Sequence, residues 1–151
     1  MNKKELLELL QITKMETISF FDLTDNELSQ TYGKDKWNIR QILHHLTDTE
    51  ILFCGRLKKI IAEPRQVIWA FNQDDWNKAF GYINKPFGNQ KQVFGMCRDL
   101  NYELIDKYYD EFWMKEFVHN ETGLRTLKDE FEKVALHNNG HINQIKLALL
   151  N

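Results

Sequence analysis

His137-Asn138-Asn139-Gly140-His141-Ile142-Asn143-Gln144-Ile145-Lys146 admits two readings, and the architecture of the chain follows from the choice. Asn-Asn-Gly is a fair helix C-cap, which would end the last helix near residue 138. Glycine inside a helix also costs about 1 kcal/mol relative to alanine. The apolar phase, however, runs unbroken from Phe131 and Val134 through position 138 to Ile142, Ile145 and Leu149, which favours one continuous helix. On such a helix His137 and His141 share a face, about 6 Å apart along the axis, with Gln144 next on it. Poor helix formers kept between two histidines are the kind of local violation expected at a functional site.

Outward from there, Thr126 followed by Asp129 resembles a capping box that starts this fourth helix, with Leu127, Phe131, Val134 and Ala135 turned inward. The first helix is read over residues 3 to 21, on Leu6, Leu9, Leu10, Thr13, Thr17 and Phe20. The second spans 39 to 62, with Asn38 as N-cap and the stripe Ile39, Ile42, Leu43, Leu46, Phe53, Leu57, Ile60 and Ile61. Glu50 falls inside that stripe and must have a partner. A third helix is expected over 89 to 112, on Val93, Cys97, Leu100, Leu104 and Tyr108. Residues 113 to 125 read as a connector. Four helices without a strand signal of comparable strength predict an all-α four-helix bundle, with residues 1–151 as one domain.

Between the second and third helices lie 26 residues, 63 to 88, carrying Trp69, Phe71, Trp76, Phe80, Tyr82 and Phe87, with one or two helical turns near 74 to 80. These aromatics either seal one end of the bundle or wall a substrate pocket. Extended, the segment reaches roughly 85 Å against about 37 Å for the second helix, enough for a long crossover that leaves helices 2 and 3 parallel.

Composition narrows the class. The chain is 42% hydrophobic with a formal charge of −2 and dispersed basic residues, so it lacks the electrostatic footprint of a nucleic-acid or anionic-membrane binder. No uncharged apolar run approaches a membrane span, and glutamates interrupt the N-terminus where a signal peptide needs apolar residues, which predicts a soluble cytoplasmic protein. Cys54 and Cys97 sit in apolar patterns and are expected reduced and buried. There is no phosphate-binding glycine loop, cysteine metal motif or nucleophile elbow.

The chemistry therefore rests on histidines. Two neutral imidazoles on adjacent turns can share a divalent ion. A third ligand has to come from elsewhere, and His45 in His44-His45-Leu46-Thr47-Asp48-Thr49-Glu50 is the best candidate. The bland alternative is that these histidines only hydrogen-bond within the core. Asp48, one turn beyond His45, is a candidate acceptor for an imidazole N–H or an extra ligand. His44 is expected to face solvent, and His119 has no partner by spacing.

Two segments resemble a known family. Lys36-Trp37-Asn38-Ile39-Arg40-Gln41-Ile42-Leu43 with His45-Leu46-Thr47-Asp48-Thr49-Glu50 looks like the second helix of the DinB/YfiT-like superfamily. His137 and His141-Ile142-Asn143-Gln144-Ile145 resemble its His-xxx-His-xx-Gln-Ile signature. The resemblance implies an up-down-down-up bundle, often a homodimer, holding a divalent transition metal on His45, His137 and His141, with Gln144 beside them. It also implies a small-molecule substrate, since members include transferases and isomerases using low-molecular-weight thiols as well as proteins described as metal-dependent hydrolases. Imidazole ligation suits Zn or Ni, with Fe or Cu as further choices. Thiol transfer to an electrophile is the leading expectation, followed by hydrolysis with metal-bound water and by a non-catalytic, stress-associated metal-binding dimer.

Overall fold

A computed structural model describes residues 1–150. Four long helices form the bundle: α1 (Lys3–Phe20), α3 (Ile39–Ala62), α5 (Gln90–Phe112) and α6 (Leu127–Leu149). Two short helices, α2 (Asp25–Leu28) and α4 (Gln73–Ala79), lie in the connections. A three-stranded sheet, β1 (Val67–Ile68), β2 (Glu116–His119) and β3 (Gly123–Thr126), completes the fold.

Helix ends are set by local chemistry. Asn38 caps α3 reciprocally, its Oδ1 accepting from Gln41 N at 2.8 Å while its own N donates to Gln41 Oε1 at 2.9 Å. Thr126 caps α6, its N and Oγ1 donating to Asp129 Oδ2 at 2.8 and 2.9 Å. Helix α6 then runs through Asn138-Asn139-Gly140 without a break. A Cβ at Gly140 would meet nothing within 4 Å, so no packing opposes the helical path there.

Helix directions follow from the pairs that cross the bundle. The Met1 ammonium pairs with Glu132 and Lys146 with Glu16, so α1 and α6 run the same way. Lys14–Asp99 and Lys3–Asp110 set α1 against α5. Arg56–Glu130 and His45–His137 set α3 against α6.

The core has three levels. Leu6, Leu10, Leu57, Ile60, Ile105, Phe131 and Val134 fill one end, and Ile39, Ile42, Leu43, Phe94, Ile145 and Ala148 the other. Each buried apolar side chain of this size contributes roughly 1.5–3 kcal/mol. Between them lies a buried polar layer. Arg98 grips Glu50 with two bonds, Nε to Oε1 at 2.7 Å and Nη2 to Oε2 at 2.8 Å. Asn101 Nδ2 adds a bond to Glu50 Oε1 at 2.8 Å, and Arg98 Nη1 donates to Thr13 Oγ1 at 2.9 Å. This is the partner that Glu50 required.

Three expectations are corrected. The inward stripe of α5 is Phe94, Arg98, Asn101, Ile105 and Tyr109, one residue on from the apolar phase. Leu100 is consequently exposed, because the helix turns Arg98 and Asn101 inward to meet Glu50. The segment after α5 is a hairpin, β2 antiparallel to β3, with β1 added in parallel along β2. His44 is fully buried, its Nε2 3.0 Å from the Lys85 carbonyl oxygen and its ring stacked on Tyr82 at 4.4 Å. The thiols of Cys54 and Cys97 are free and half-buried. No helix among the described residues is long and apolar enough to cross a membrane.

Candidate metal centre

The three-level core brings His45 of α3 face to face with His137 and His141 of α6. One ring nitrogen from each lies within 4.8 Å of the others. His45 Nε2 and His137 Nε2 stand 3.1 Å apart, and the ring centroids are separated by 5.1, 4.8 and 4.6 Å for the pairs 45–137, 45–141 and 137–141. Zinc–nitrogen bonds of about 2.0–2.1 Å at tetrahedral angles put two ligand atoms roughly 3.3 Å apart. The spacing of His45 and His137 therefore fits two ligands of one ion.

Protonation state points the same way. Burial, reinforced by His141 and His137, pushes His45 down to about 2. Burial, then His141, Lys133 and Arg98, pushes His137 down to about 3. Burial also lowers His141, against an opposing bond from Gln144. All three rings are neutral at physiological pH and offer lone pairs, the form a metal ligand needs. Gln144 Oε1 lies 2.8 Å from His141 Nδ1, which places the proton on Nδ1 and frees Nε2 for the centre.

Around the rings, Trp37 meets His45 edge-on at 5.1 Å, Phe71 lies at 6.0 Å from it, and Phe53 meets His137 at 6.2 Å. Of the aromatics in the long connection, Phe71 alone packs on the triad. Trp69 and Phe80 are exposed, and Phe87 packs on Phe21. Asp48 does not join the histidines either: its carboxylate accepts from the Tyr82 hydroxyl at 2.6 Å.

A cavity of about 190 Å³ opens beside the triad, lined by His45 and His137 together with Thr49, Phe71, Arg56, His119, Glu121 and Lys133. His119 is 5% exposed and comes from the hairpin that the sequence reading took for a connector. The available signal was the alternation of Phe117 and His119 inward against Glu116 and Val118 outward. It is weak because the outward residue is the valine.

Comparison with known proteins gives a consistent picture. A family model described as "DinB superfamily" matches residues 9–145. "Putative metal-dependent hydrolase OB0413" of Oceanobacillus iheyensis is 32% identical over 133 residues, 85% of this chain and 74% of the relative. "Putative metal-dependent hydrolase BH0277" of Halalkalibacterium halodurans is 23% identical over 147 residues, 97% of this chain and 84% of the relative. Among solved structures, YfiT from Bacillus subtilis, described as "a probable metal-dependent hydrolase with an unusual four-helix bundle topology", superposes with a TM-score of 0.85. It is 21% identical, over 95% of this chain and 83% of that one, which speaks to the fold.

Proposed function

The chain belongs to the DinB superfamily, and from that premise we propose that it is a metal-dependent enzyme with His45, His137 and His141 as the ligands. One observation carries the reading: three neutral imidazoles, their donor atoms within 4.8 Å, meet at the side of a cavity. Held by these three residues, a divalent ion would supply Lewis-acid chemistry that makes a thiol or a water more acidic. Zn or Ni suits this donor set best, with Fe or Cu next.

We favour activation of a low-molecular-weight thiol for transfer to an electrophile. The reason lies in what the chain provides near the triad. Asp48, the nearest carboxylate by sequence, is committed to Tyr82, and Glu50 and Glu130 are committed to Arg98 and Arg56. These three carboxylates are therefore engaged, which leaves Glu121 as the one carboxylate on the cavity lining. A thiol, with an ordinary pKa near 8.5, needs far less help to ionise than water does. Beside the triad, Phe71 and Phe53 present apolar rings to His45 and His137, and Gln144 holds His141 in its ligating tautomer.

Hydrolysis is the second reading, supported by the names of the relatives. One experiment separates the two. Zinc- or nickel-loaded protein is assayed against a panel of electrophiles and esters with and without thiols. Consumption of thiol together with electrophile supports transfer, ester cleavage without thiol supports hydrolysis, and neither outcome with a fully loaded site refutes both.

A further inference from the structure

The part of the cavity lining that comes from the sheet and from the turn of α6 before His137 is built for a ligand of definite charge. His119 is set there by the sheet: Asn120 N donates to the Ile68 carbonyl at 3.0 Å, and Asn120 Oδ1 accepts from Ala70 N at 2.7 Å. Its Nδ1 accepts from the Glu121 backbone N–H at 3.3 Å. The proton of the neutral ring is therefore on Nε2, which has no acceptor among the described residues. That N–H is left for a ligand or water in the cavity to accept.

Two cations share the lining. Arg56 is already engaged, donating from Nη2 to the Trp69 carbonyl at 2.7 Å and from Nη1 to Glu130 at 3.4 Å. Lys133, one helical turn before His137, has no ion-pair partner among the described residues, and its charge reaches both His119 and His137. Glu121 is the one carboxylate on the lining. It offsets part of the positive charge, so the wall suits a monoanion better than a phosphate dianion. Two donors, one ring N–H and one ammonium, match the two oxygens of a carboxylate.

We infer that His119 Nε2 and Lys133 Nζ form a subsite for a carboxylate on the substrate, which holds that arm while the reacting end faces the three histidines. The inference rests on the cavity being the substrate site of the proposed enzyme, but its test does not need turnover.

The full-length protein, metal-free and zinc-loaded, is titrated with butyrate and with its uncharged isostere butyramide, following the His119 ring nitrogens by NMR. Butyrate is expected to move the His119 signals and to bind roughly tenfold or more tighter than butyramide in both forms. Lys133→Gln and His119→Phe should each weaken butyrate about fivefold or more. His119→Gln, which keeps an N–H donor, should recover most of the loss. Equal binding of the two probes, or no movement of His119, overturns the subsite. So does butyrate binding that is undiminished in both variants, because the carboxylate then sits elsewhere, as on the zinc. A wild-type protein that binds butyrate at His119 yet takes up no metal would leave the subsite standing and remove the proposed enzyme.

Discussion

Arg98 Nη2 donates to Asn138 Oδ1 at 3.1 Å, tying the residue after His137 to the ion pair at the centre of the bundle. Asn138 Nδ2 passes the link on to Thr17 Oγ1 at 3.0 Å. The same guanidinium holds Glu50, five residues along α3 from His45. The turn of α6 that carries the paired histidines is thus bonded, through its opposite face, to the helix that carries the third. Four helices meet in one hydrogen-bonded layer, and the triad lies at its level.

This makes Arg98 expensive to lose. Arg98→Met would strand the Glu50 carboxylate, 2% exposed, without its counter-charge. Breaking a buried pair from one side costs about 3–5 kcal/mol, whereas replacing both partners with apolar groups of similar volume is often neutral. Urea unfolding should show Arg98→Met strongly destabilised and the double variant Glu50→Leu/Arg98→Met recovering most of the loss. A single variant as stable as wild type would mean that the layer contributes little.

Metal binding should respond to ligands and to their supports in different degrees. His141→Ala removes a proposed ligand and is expected to abolish stoichiometric zinc uptake while circular dichroism still reports a helical protein. Gln144→Leu leaves three ligands but frees the His141 ring, and outer partners of this kind are worth roughly 10–100-fold in affinity. Competition with a chromophoric chelator measures both. Full occupancy in His141→Ala would remove His141 from the ligand set.

The sequence revealed elements governed by neighbours in the chain and missed those governed by contacts across it. Asn38 with Gln41, and Thr126 with Asp129, are caps written in four consecutive residues, so the starts of α3 and α6 were readable. That His45 joins His137 is implied by the family resemblance rather than by any local pattern, and the folded geometry accompanies it with a 3.1 Å approach. The inward face of α5 was misplaced because it buries Arg98 and Asn101, which apolar periodicity counts as outward. The burial of His44 is not legible locally because its partners, Tyr82 and the Lys85 carbonyl, come from 38 or more residues further along the chain. The placement of His119 is hidden in the sequence because two-residue and four-residue strands give too little alternation to register.

Stability of the metal-free protein should fall on acidification from near-neutral pH. His45 and His137 titrate at about 2 and about 3 in the folded state, below the value near 6.5 of an unfolded chain. Between those limits the unfolded state binds protons that the folded state refuses. The contribution is complete above pH 6.5 and is lost progressively toward pH 3, at a slope approaching about 1.4 kcal/mol per unit for each histidine. Urea midpoints of chelator-treated protein, measured from pH 8 to 4.5, should show this decline, and His45→Leu should flatten it. A midpoint constant from pH 7 to 5 would contradict the burial of neutral rings.

The free thiols should be inert in the folded protein. Burial, with Cys97 close by, pushes the Cys54 thiol up to about 12, and burial raises Cys97 as well. The Cys54 thiol donates to the Cys97 carbonyl oxygen at 3.4 Å and takes no part in the triad. Since the thiolate is the reactive form, alkylation by iodoacetamide at pH 8 should be far slower than for the urea-unfolded chain. Rapid labelling under native conditions would show that this part of α3 and α5 opens readily. It would also warn that thiol consumption in an activity assay had to be corrected for the protein's own cysteines.

Gly140 offers a direct test of the helix on which the paired histidines depend. Its backbone is helical, and a methyl group there meets nothing within 4 Å. Alanine at that position loses less conformational entropy on folding than glycine and should stabilise the protein by about 0.5–1 kcal/mol. Because the i, i+4 relation of His137 and His141 is already helical, zinc affinity should stay within about twofold or improve slightly. Thermal unfolding and chelator competition on Gly140→Ala report the two quantities separately. A rise in stability accompanied by loss of metal binding would mean that the working site needs this turn to depart from a regular helix, a freedom that glycine keeps and alanine removes.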